Sequence, residues 1–318
     1  MKKYQYFFSH ARSALKYILI QENPNLPFEI LLPDYICESV PNTLYQIDNI
    51  KISYYKINLD LSINWDNLIL KVNDNTKYIL VVNYFGFPID ILKANKFCKE
   101  HNIVLIEDNT HGYNGFFNNK LLGHYGDIGI SSPRKHIPLK FGGTLYYSRS
   151  NLNINQSIYT TTNFDKIKFL INDNFRFRKI QIQNFFKPKI KQITVHFEDK
   201  VNISKLDKYS MKIINNKNWN KIKKDKFCAY KSWQDFFLKI NKKPLIDIGK
   251  FKDVNPWAFP VLLNSKEEVI EWFNWSKNKN VLCFTWPTLH PDISKTSNAY
   301  QLSQKIICFS TYTRLGNV

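Results

Sequence analysis

The chain has 318 residues, of which 44% are hydrophobic and 15% aromatic. This composition excludes a disordered chain, and no apolar run approaches the roughly 18 residues of a membrane span, so the sequence predicts a globular protein with no membrane partner. The net charge of +19 suits nucleic acid, anionic lipid or a phosphate-bearing metabolite without choosing among them. The amino terminus reaches Ser9, His10 and Arg12 before a signal-peptide core could form, so we expect a cytoplasmic protein.

A helix is predicted near the amino terminus. Apolar residues recur at helical spacing between Arg12 and Ile20, and Ser9 stands where an N-cap is expected. Short runs rich in β-branched and aromatic residues follow, separated by helical or turn segments, and these runs predict strands. The predicted strands are 29–32, 52–57, 78–84, 103–106, 128–131 and 144–147.

Several of these strands are apolar throughout, which is typical of strands covered on both faces of a parallel sheet. The segment 90–101 is predicted to be a crossover helix, so 78–107 forms a βαβ unit. We therefore predict an α/β fold in which a mostly parallel central sheet is flanked by helices.

The pattern changes after residue 150, where a stretch rich in Lys and Asn begins. The later sequence predicts a strand at 257–263, a helix at 267–277, a strand at 281–284 and a final helix and strand. This alternation indicates a smaller α/β domain. We predict a large domain over residues 1–200 and a small C-terminal domain over 201–318.

A candidate site follows the strand predicted at 103–106. Ligands bind at the carboxyl ends of strands in open parallel sheets, and Asp108 and His111 come directly after this strand. An alternative is that Asp108 only caps the following turn.

A second candidate is Lys135, which lies between Pro133 and Pro138 and is followed by Gly142 and Gly143. A lysine that forms a Schiff base must be fixed and partly desolvated, because desolvation lowers the pKa of its amine and frees it to attack an aldehyde. A lysine held between two prolines meets the first of these conditions. The alternative is an ordinary lysine in a surface turn.

Six blocks of the sequence occur in the order that is typical of one enzyme family. They are ARSAL at 11–15, LPDYIC at 32–37, FGFP at 85–88, EDNTHG at 107–112, GDIG at 126–129 and SPRK at 132–135. Together they resemble the DegT/StrS family of sugar aminotransferases, which depend on pyridoxal 5'-phosphate (PLP). The resemblance extends more weakly to TWP at 285–287 and SNAYQL at 297–302.

The resemblance implies the large domain of a fold type I PLP enzyme and assigns roles to three side chains. Lys135 matches the lysine that forms the Schiff base with PLP. Asp108 matches the acid that pairs with the pyridine nitrogen, so that the ring can act as an electron sink. His111 matches the Gln or His that bonds the ring hydroxyl.

The resemblance also implies contacts to the cofactor phosphate and ring. Ser132 and the helix start at Arg12 and Ser13 match the phosphate site, and an exposed helix N-terminus suits an anion. Tyr35 matches the aromatic residue that stacks on the ring, with an ordinary packed tyrosine as the alternative. The segment 174–178 is a partial match for the family's acceptor-side Asn-Tyr-Arg-Met block.

The activity that the resemblance implies is transamination from an amino acid such as glutamate to a keto sugar, nucleotide-linked, as in polysaccharide biosynthesis. A homodimer is also implied. Metal chemistry is not expected, because the seven histidines are dispersed and lack the spacing of zinc ligands.

Three other functions stay open. A PLP enzyme of the same fold could catalyse dehydration or another elimination; those relatives replace the lysine with histidine, and His136 adjoins Lys135. A nucleic-acid-binding protein would fit the charge and the aromatic content, although no matching motif is visible. A noncatalytic protein of this ancestry is the third.

Overall fold

The computed structural model describes residues 2–24, 27–150, 152, 158–159 and 201–312. The segment 174–178, predicted to match the acceptor-side block, lies outside the described residues.

Strands and helices alternate through the first part of the chain. They are β1 (Tyr4–Phe8), α1 (Ala11–Glu22), β2 (Phe28–Pro33), α2 (Ser39–Leu44), β3 (Ile50–Tyr55), α3 (Trp65–Lys71), β4 (Thr76–Val82), α4 (Ile91–Glu100), β5 (Val104–Asn109), β6 (Phe116–Phe117), β7 (Lys120–Leu121), β8 (Ile128–Ser131), β9 (Gly143–Tyr147), β10 (Ile158–Tyr159) and β11 (Lys205–Leu206).

The large sheet has the strand order β10-β11-β1-β9-β8-β5-β4-β2-β3. Every pair from β3 to β8 along this order is parallel, whereas β9 lies antiparallel to both β8 and β1. The predicted α/β fold with a mostly parallel central sheet is confirmed. Strand β1 was not predicted, and β11, which follows residue 200, also joins this sheet.

Helix α1 forms where the apolar spacing predicts it. The side chains of Ala14, Leu15, Ile18 and Leu19 are fully buried, so the helix packs its apolar face on the sheet. The predicted N-cap at Ser9 is wrong, because the helix starts one residue later and its cap position is held by the residue after Ser9.

Ser9 has other partners, which explain why it does not cap the helix. Its hydroxyl accepts a hydrogen bond from Ser204 Oγ at 2.8 Å, and its carbonyl accepts one from the Gly142 N–H at 2.7 Å. Long-range contacts therefore override the local capping preference at this position.

The last part of the chain builds a second, smaller sheet with helices on it, as predicted for a smaller α/β unit. Strands β12 (Ala258–Leu262), β14 (Ile306–Ser310) and β13 (Cys283–Phe284) are antiparallel. The helices of this part are α5 (Lys208–Asn216), α6 (Trp219–Lys239), α7 (Lys266–Asn278) and α8 (Asn298–Lys305). Trp233 and Phe237 from α6 stack against Phe309 of β14 at 4.7 and 5.3 Å between ring centres, which fixes α6 to the sheet. No helix within the described ranges is long and apolar enough to cross a membrane.

A buried carboxylate ties β5 to the loop before β8. Glu107 is fully buried and accepts hydrogen bonds from the N–H groups of Gly123 and Tyr125, both at 2.7 Å, and of Gly126 at 3.2 Å. Asn83 Nδ2 donates a fourth, at 2.9 Å. These bonds fix the loop that leads into β8 and therefore the position of the residues that follow β8.

Replacing Glu107 with Ala should lower the free energy of unfolding by about 3 kcal/mol or more, because several buried donors lose their acceptor. Urea denaturation measures this loss. Glu100→Ala is the matched control, since Glu100 lies 3.7 Å from Lys96 in an exposed ion pair whose loss should cost about 0.5 kcal/mol or less. Equal losses in the two variants would contradict the role given to Glu107.

Candidate functional site

Two neighbouring parallel strands bring Asp108 and Lys135 to the same edge of the sheet. In the register of β5 and β8, Asp108 lies opposite Ile130 and Asn109 lies opposite Ser131. A short 3-10 helix, Pro133–Lys135, begins two residues after β8 ends. Asp108 and Lys135 therefore both lie at the carboxyl ends of adjacent strands, where open α/β sheets bind ligands.

The Lys135 amine lies in a place that disfavours its charged form. Burial lowers its pKa from the usual value to about 8, even though the Asp108 carboxylate acts in the opposite direction. The backbone of Lys135 is also held, because Tyr312 Oη donates a hydrogen bond to its carbonyl at 2.7 Å. An amine with this pKa is unprotonated in roughly a tenth of molecules at pH 7, far more than an ordinary lysine with a pKa of about 10.4, and can act as a nucleophile or a base.

The Asp108 carboxyl group is buried, with 4% of the residue exposed. Burial raises its pKa, whereas hydrogen bonds from Thr110 and the charge of Lys135 lower it. One of these bonds runs from the Thr110 N–H to Asp108 Oδ1 at 2.9 Å. A buried carboxyl group of this kind can hold a partner cation such as a protonated ring nitrogen.

His111 is buried and presents one nitrogen as a donor. Its Nδ1 lies 3.1 Å from the backbone N–H of Phe85, which can only donate, so Nδ1 accepts. Burial also lowers the pKa of His111 well below its ordinary value. The ring is therefore neutral with its proton on Nε2, the tautomer that can donate to a ring hydroxyl or its anion.

The N-terminus of α1 lies against the glycine pair that follows Lys135. The carbonyl carbon of His10 would be 2.1 Å from a Cβ on Gly143, so only glycine allows this approach. Ser132 Oγ donates to the Gly142 carbonyl at 3.1 Å, so Ser132 contacts the same glycine pair. The structure thus brings Ser132 next to the start of α1.

Ser13 and Arg12 begin this helix, and their surroundings suit an anion. Ser13 Oγ is buried and makes no hydrogen bond to any residue that the structure describes, which is uncommon for a buried hydroxyl. His10 has a pKa lowered to about 3, first by burial and then by the positive charges of Arg12 and Arg134. A hydroxyl with no partner among the described residues, two guanidinium groups and the N-terminus of a helix are the features that a phosphate would use.

Tyr35 lies in the core beneath the other aromatic residues that it contacts, Trp286 and Tyr84, which are half-buried and buried. It is fully buried, and its hydroxyl donates to the Trp286 carbonyl at 2.7 Å. Its ring packs edge-on against Trp286 and at a tilt against Tyr84, with centres 5.4 and 5.5 Å apart. Stacking of Tyr35 on a cofactor ring stays a prediction, as do the cofactor contacts of the other predicted residues.

Sequence reasoning missed two residues from the second sheet region that contact Lys135. The ring centre of Trp257 lies 4.5 Å from Lys135 Nζ, and Tyr312 bonds the Lys135 backbone. Both residues are far from Lys135 in the sequence, and neither belongs to the blocks that carried the family resemblance. The segment 257–263 was predicted only as a strand, so no local signal pointed to Trp257.

Comparison with known proteins shows which family the chain resembles. Residues 55–166 match the model of the DegT/DnrJ/EryC1/StrS aminotransferase family. The predicted family resemblance is confirmed. The matched segment contains Asp108, His111, Ser132 and Lys135, so the resemblance covers these four predicted site residues.

Individual relatives agree with this match. The chain is 32% identical over 122 residues to a GDP-4-keto-6-deoxy-D-mannose 3-dehydratase of Escherichia coli O55:H7, covering 37% of this chain and 31% of that protein. The chain spans about a third of the length of the curated relatives it matches.

Solved structures share the fold over nearly the whole chain. Helicobacter pylori PseC, an aminotransferase involved in pseudaminic acid biosynthesis, superposes with a TM-score of 0.70 at 16% identity, covering 99% of this chain and 84% of that one. The PLP form of the putative sugar aminotransferase Spr1654 from Streptococcus pneumoniae gives 0.68 at 14% identity, covering 98% and 83%. The architecture is therefore that of the sugar aminotransferases.

Proposed function

We propose that this protein is a PLP-dependent aminotransferase that moves an amino group from an amino acid such as glutamate to a keto sugar. The observation that carries the proposal is the pairing of Lys135, whose amine has a pKa lowered to about 8, with the buried Asp108 carboxylate at the ends of two adjacent parallel strands. A nucleophilic amine beside an acid that can hold a ring nitrogen is the arrangement that PLP chemistry requires.

The residues present fit PLP. Asp108 would pair with the pyridine nitrogen, the Nε2–H of His111 would donate to the ring hydroxyl, and Ser13, Arg12 and Ser132 would hold the phosphate. When bound, PLP supplies an electron sink for the negative charge that develops on the donor carbon. Lys135 would attach the cofactor and would then serve as the general base that takes up the proton released from the donor carbon.

The acceptor proposed is a nucleotide-linked keto sugar. The matched relative from Escherichia coli is named for a GDP-linked keto sugar, which supports this class of substrate. The net charge of +19 would attract its diphosphate. We further propose that the protein works in the cytoplasm and, as the family resemblance implies, as a homodimer.

Elimination is the second candidate, because the same relative is named a dehydratase. Relatives of that kind carry histidine where Lys135 stands. Here it is the Lys135 amine that interacts electrostatically with Asp108. This arrangement supports Lys135 as the reacting side chain and transamination as the leading reaction.

Cofactor uptake and its pH dependence test the proposal. Added PLP should be taken up, borohydride should then leave it covalently attached to the peptide that contains Lys135, and incubation of unreduced protein with glutamate should yield pyridoxamine phosphate. The attachment rate should rise about tenfold per pH unit up to about pH 8 and then level off, because only the unprotonated amine attacks the aldehyde.

Three outcomes would count against it. Protein that takes up no PLP would exclude a PLP enzyme altogether. Attachment that levels off only near the pKa of an ordinary lysine, about 10.4, would contradict the pKa given to Lys135. Bound PLP without pyridoxamine phosphate after glutamate would favour elimination over transamination.

A further inference from the structure

Trp257 contacts two of the predicted site residues from the other part of the chain. It directly precedes β12 of the smaller sheet. Its ring centre lies 4.5 Å from Lys135 Nζ and 4.4 Å from the centre of the His111 ring. The indole therefore adjoins both the amine that would react and the imidazole that would contact the cofactor ring.

The backbone on both sides of this indole is fixed. The Trp257 N–H donates to the Phe85 carbonyl at 2.8 Å, and Thr311 Oγ1 donates to the Trp257 carbonyl at 2.9 Å. Thr311 Oγ1 in turn accepts a hydrogen bond from the buried Lys226 amine at 3.1 Å. Because these bonds hold the main chain on the large-sheet side and on the small-sheet side, the backbone position from which the indole projects is set before any ligand arrives.

The contact has a chemical consequence for the amine. An aromatic face attracts a cation and at the same time keeps water away from it. Trp257 is half-buried, unlike the tryptophan in the core of the smaller sheet, Trp233, which is fully buried. Lys135 as a whole is also half-buried, so the indole 4.5 Å from its amine lies where water could otherwise reach that amine.

We propose that Trp257 is a positioning residue for Lys135, whose indole closes the cofactor pocket from the smaller sheet and shields the bond between Lys135 and PLP from water. This inference rests on the proposed function. It adds a residue outside the matched family segment, 55–166, to the pocket.

A surface pair elsewhere in the chain provides a matched control. Lys93 Nζ lies 4.3 Å from the ring centre of Trp65, which is nearly the same distance as between Lys135 and Trp257. Lys93 is exposed and lies on α4, and Trp65 lies at the start of α3. Trp65→Ala therefore removes an equivalent indole–ammonium contact without touching the site.

The test uses the full chain loaded with PLP and follows how fast hydroxylamine releases the cofactor. Trp257→Ala should speed release about tenfold, because the shield is lost. Trp257→Phe keeps an aromatic face and should stay within about threefold of the parent protein. Trp65→Ala should release at the parent rate.

Tryptophan emission gives a second measurement that does not depend on Trp257→Ala folding. PLP binding should quench the emission of the parent protein, and Trp257→Phe should lose a clear share of that quenching while still binding PLP. If Trp257→Phe were quenched by the same amount as the parent, the indole would not face the cofactor and the inference would fail.

The failures of the two proposals can be told apart. A parent protein that takes up no PLP overturns the proposed function itself. A parent protein that binds PLP, together with Trp257→Ala releasing it no faster than Trp65→Ala, overturns only the role of Trp257. Tighter PLP binding by Trp257→Ala would also overturn it, since the indole would then obstruct the pocket.

Discussion

Lys135→Ala should lose covalent attachment of PLP and should slow pyridoxamine phosphate formation from glutamate by about three orders of magnitude or more. The variant loses the only group proposed both to attach the cofactor and to move the proton. Absorbance of the bound cofactor and mass spectrometry after borohydride measure the attachment, and rapid-mixing kinetics with glutamate measure the rate.

Lys140→Ala is the control for this variant. Lys140 lies in the same loop but is exposed, so its loss should leave attachment and rate unchanged. If Lys135→Ala kept a cofactor that borohydride fixes to the chain, another amine would be the point of attachment. The assignment of Lys135 would then be wrong.

Asp108→Asn should leave PLP uptake largely intact but slow the reaction with glutamate about 10²–10³-fold. The amide keeps the shape of the carboxyl group but has no negative charge, so it cannot stabilise a protonated ring nitrogen. The electron sink would be weakened at the step in which the donor carbon loses its proton. Single-turnover kinetics of the PLP-loaded protein measure this rate.

An exposed aspartate provides the comparison. Asp74→Asn lies at the surface, outside the site, and should react at the parent rate. A parent-like rate for Asp108→Asn would mean that the carboxylate does not pair with the ring. Loss of PLP uptake without a change in the rate of the loaded fraction would assign Asp108 to binding rather than to the reaction.

Much of the large sheet could be predicted from the sequence, because its parallel strands are short apolar runs with distinct boundaries. Strand β8 matches its prediction at 128–131, and α4 at Ile91–Glu100 lies within the predicted crossover helix 90–101. Strand β1 escaped prediction because it pairs with β9, more than 130 residues away. The same kind of distant contact moved the start of α1 away from Ser9.

The residues of the candidate site also fall into those that the sequence could predict and those that it could not. Asp108, His111 and Lys135 could be predicted because they follow strands directly, and the sheet order then places them at one edge. Trp257 and Tyr312 could not, because their approach to Lys135 depends on how the smaller sheet packs on the larger one. The sequence around Trp257 and Tyr312 contains no local pattern that predicts how the two sheets pack.

Glu107 and Asp108 are neighbours on β5, and they have different contacts because their side chains project from opposite faces of the strand. Successive side chains along a strand project to opposite sides, so Glu107 faces the loop that it holds while Asp108 faces Lys135. A slip of β5 by a single position against β4 and β8 would exchange them, turning the longer acid toward the amine and leaving the loop without its acceptor. Insertion or deletion of one residue within 104–109 should therefore abolish the proposed activity, even in a protein whose sheet still forms.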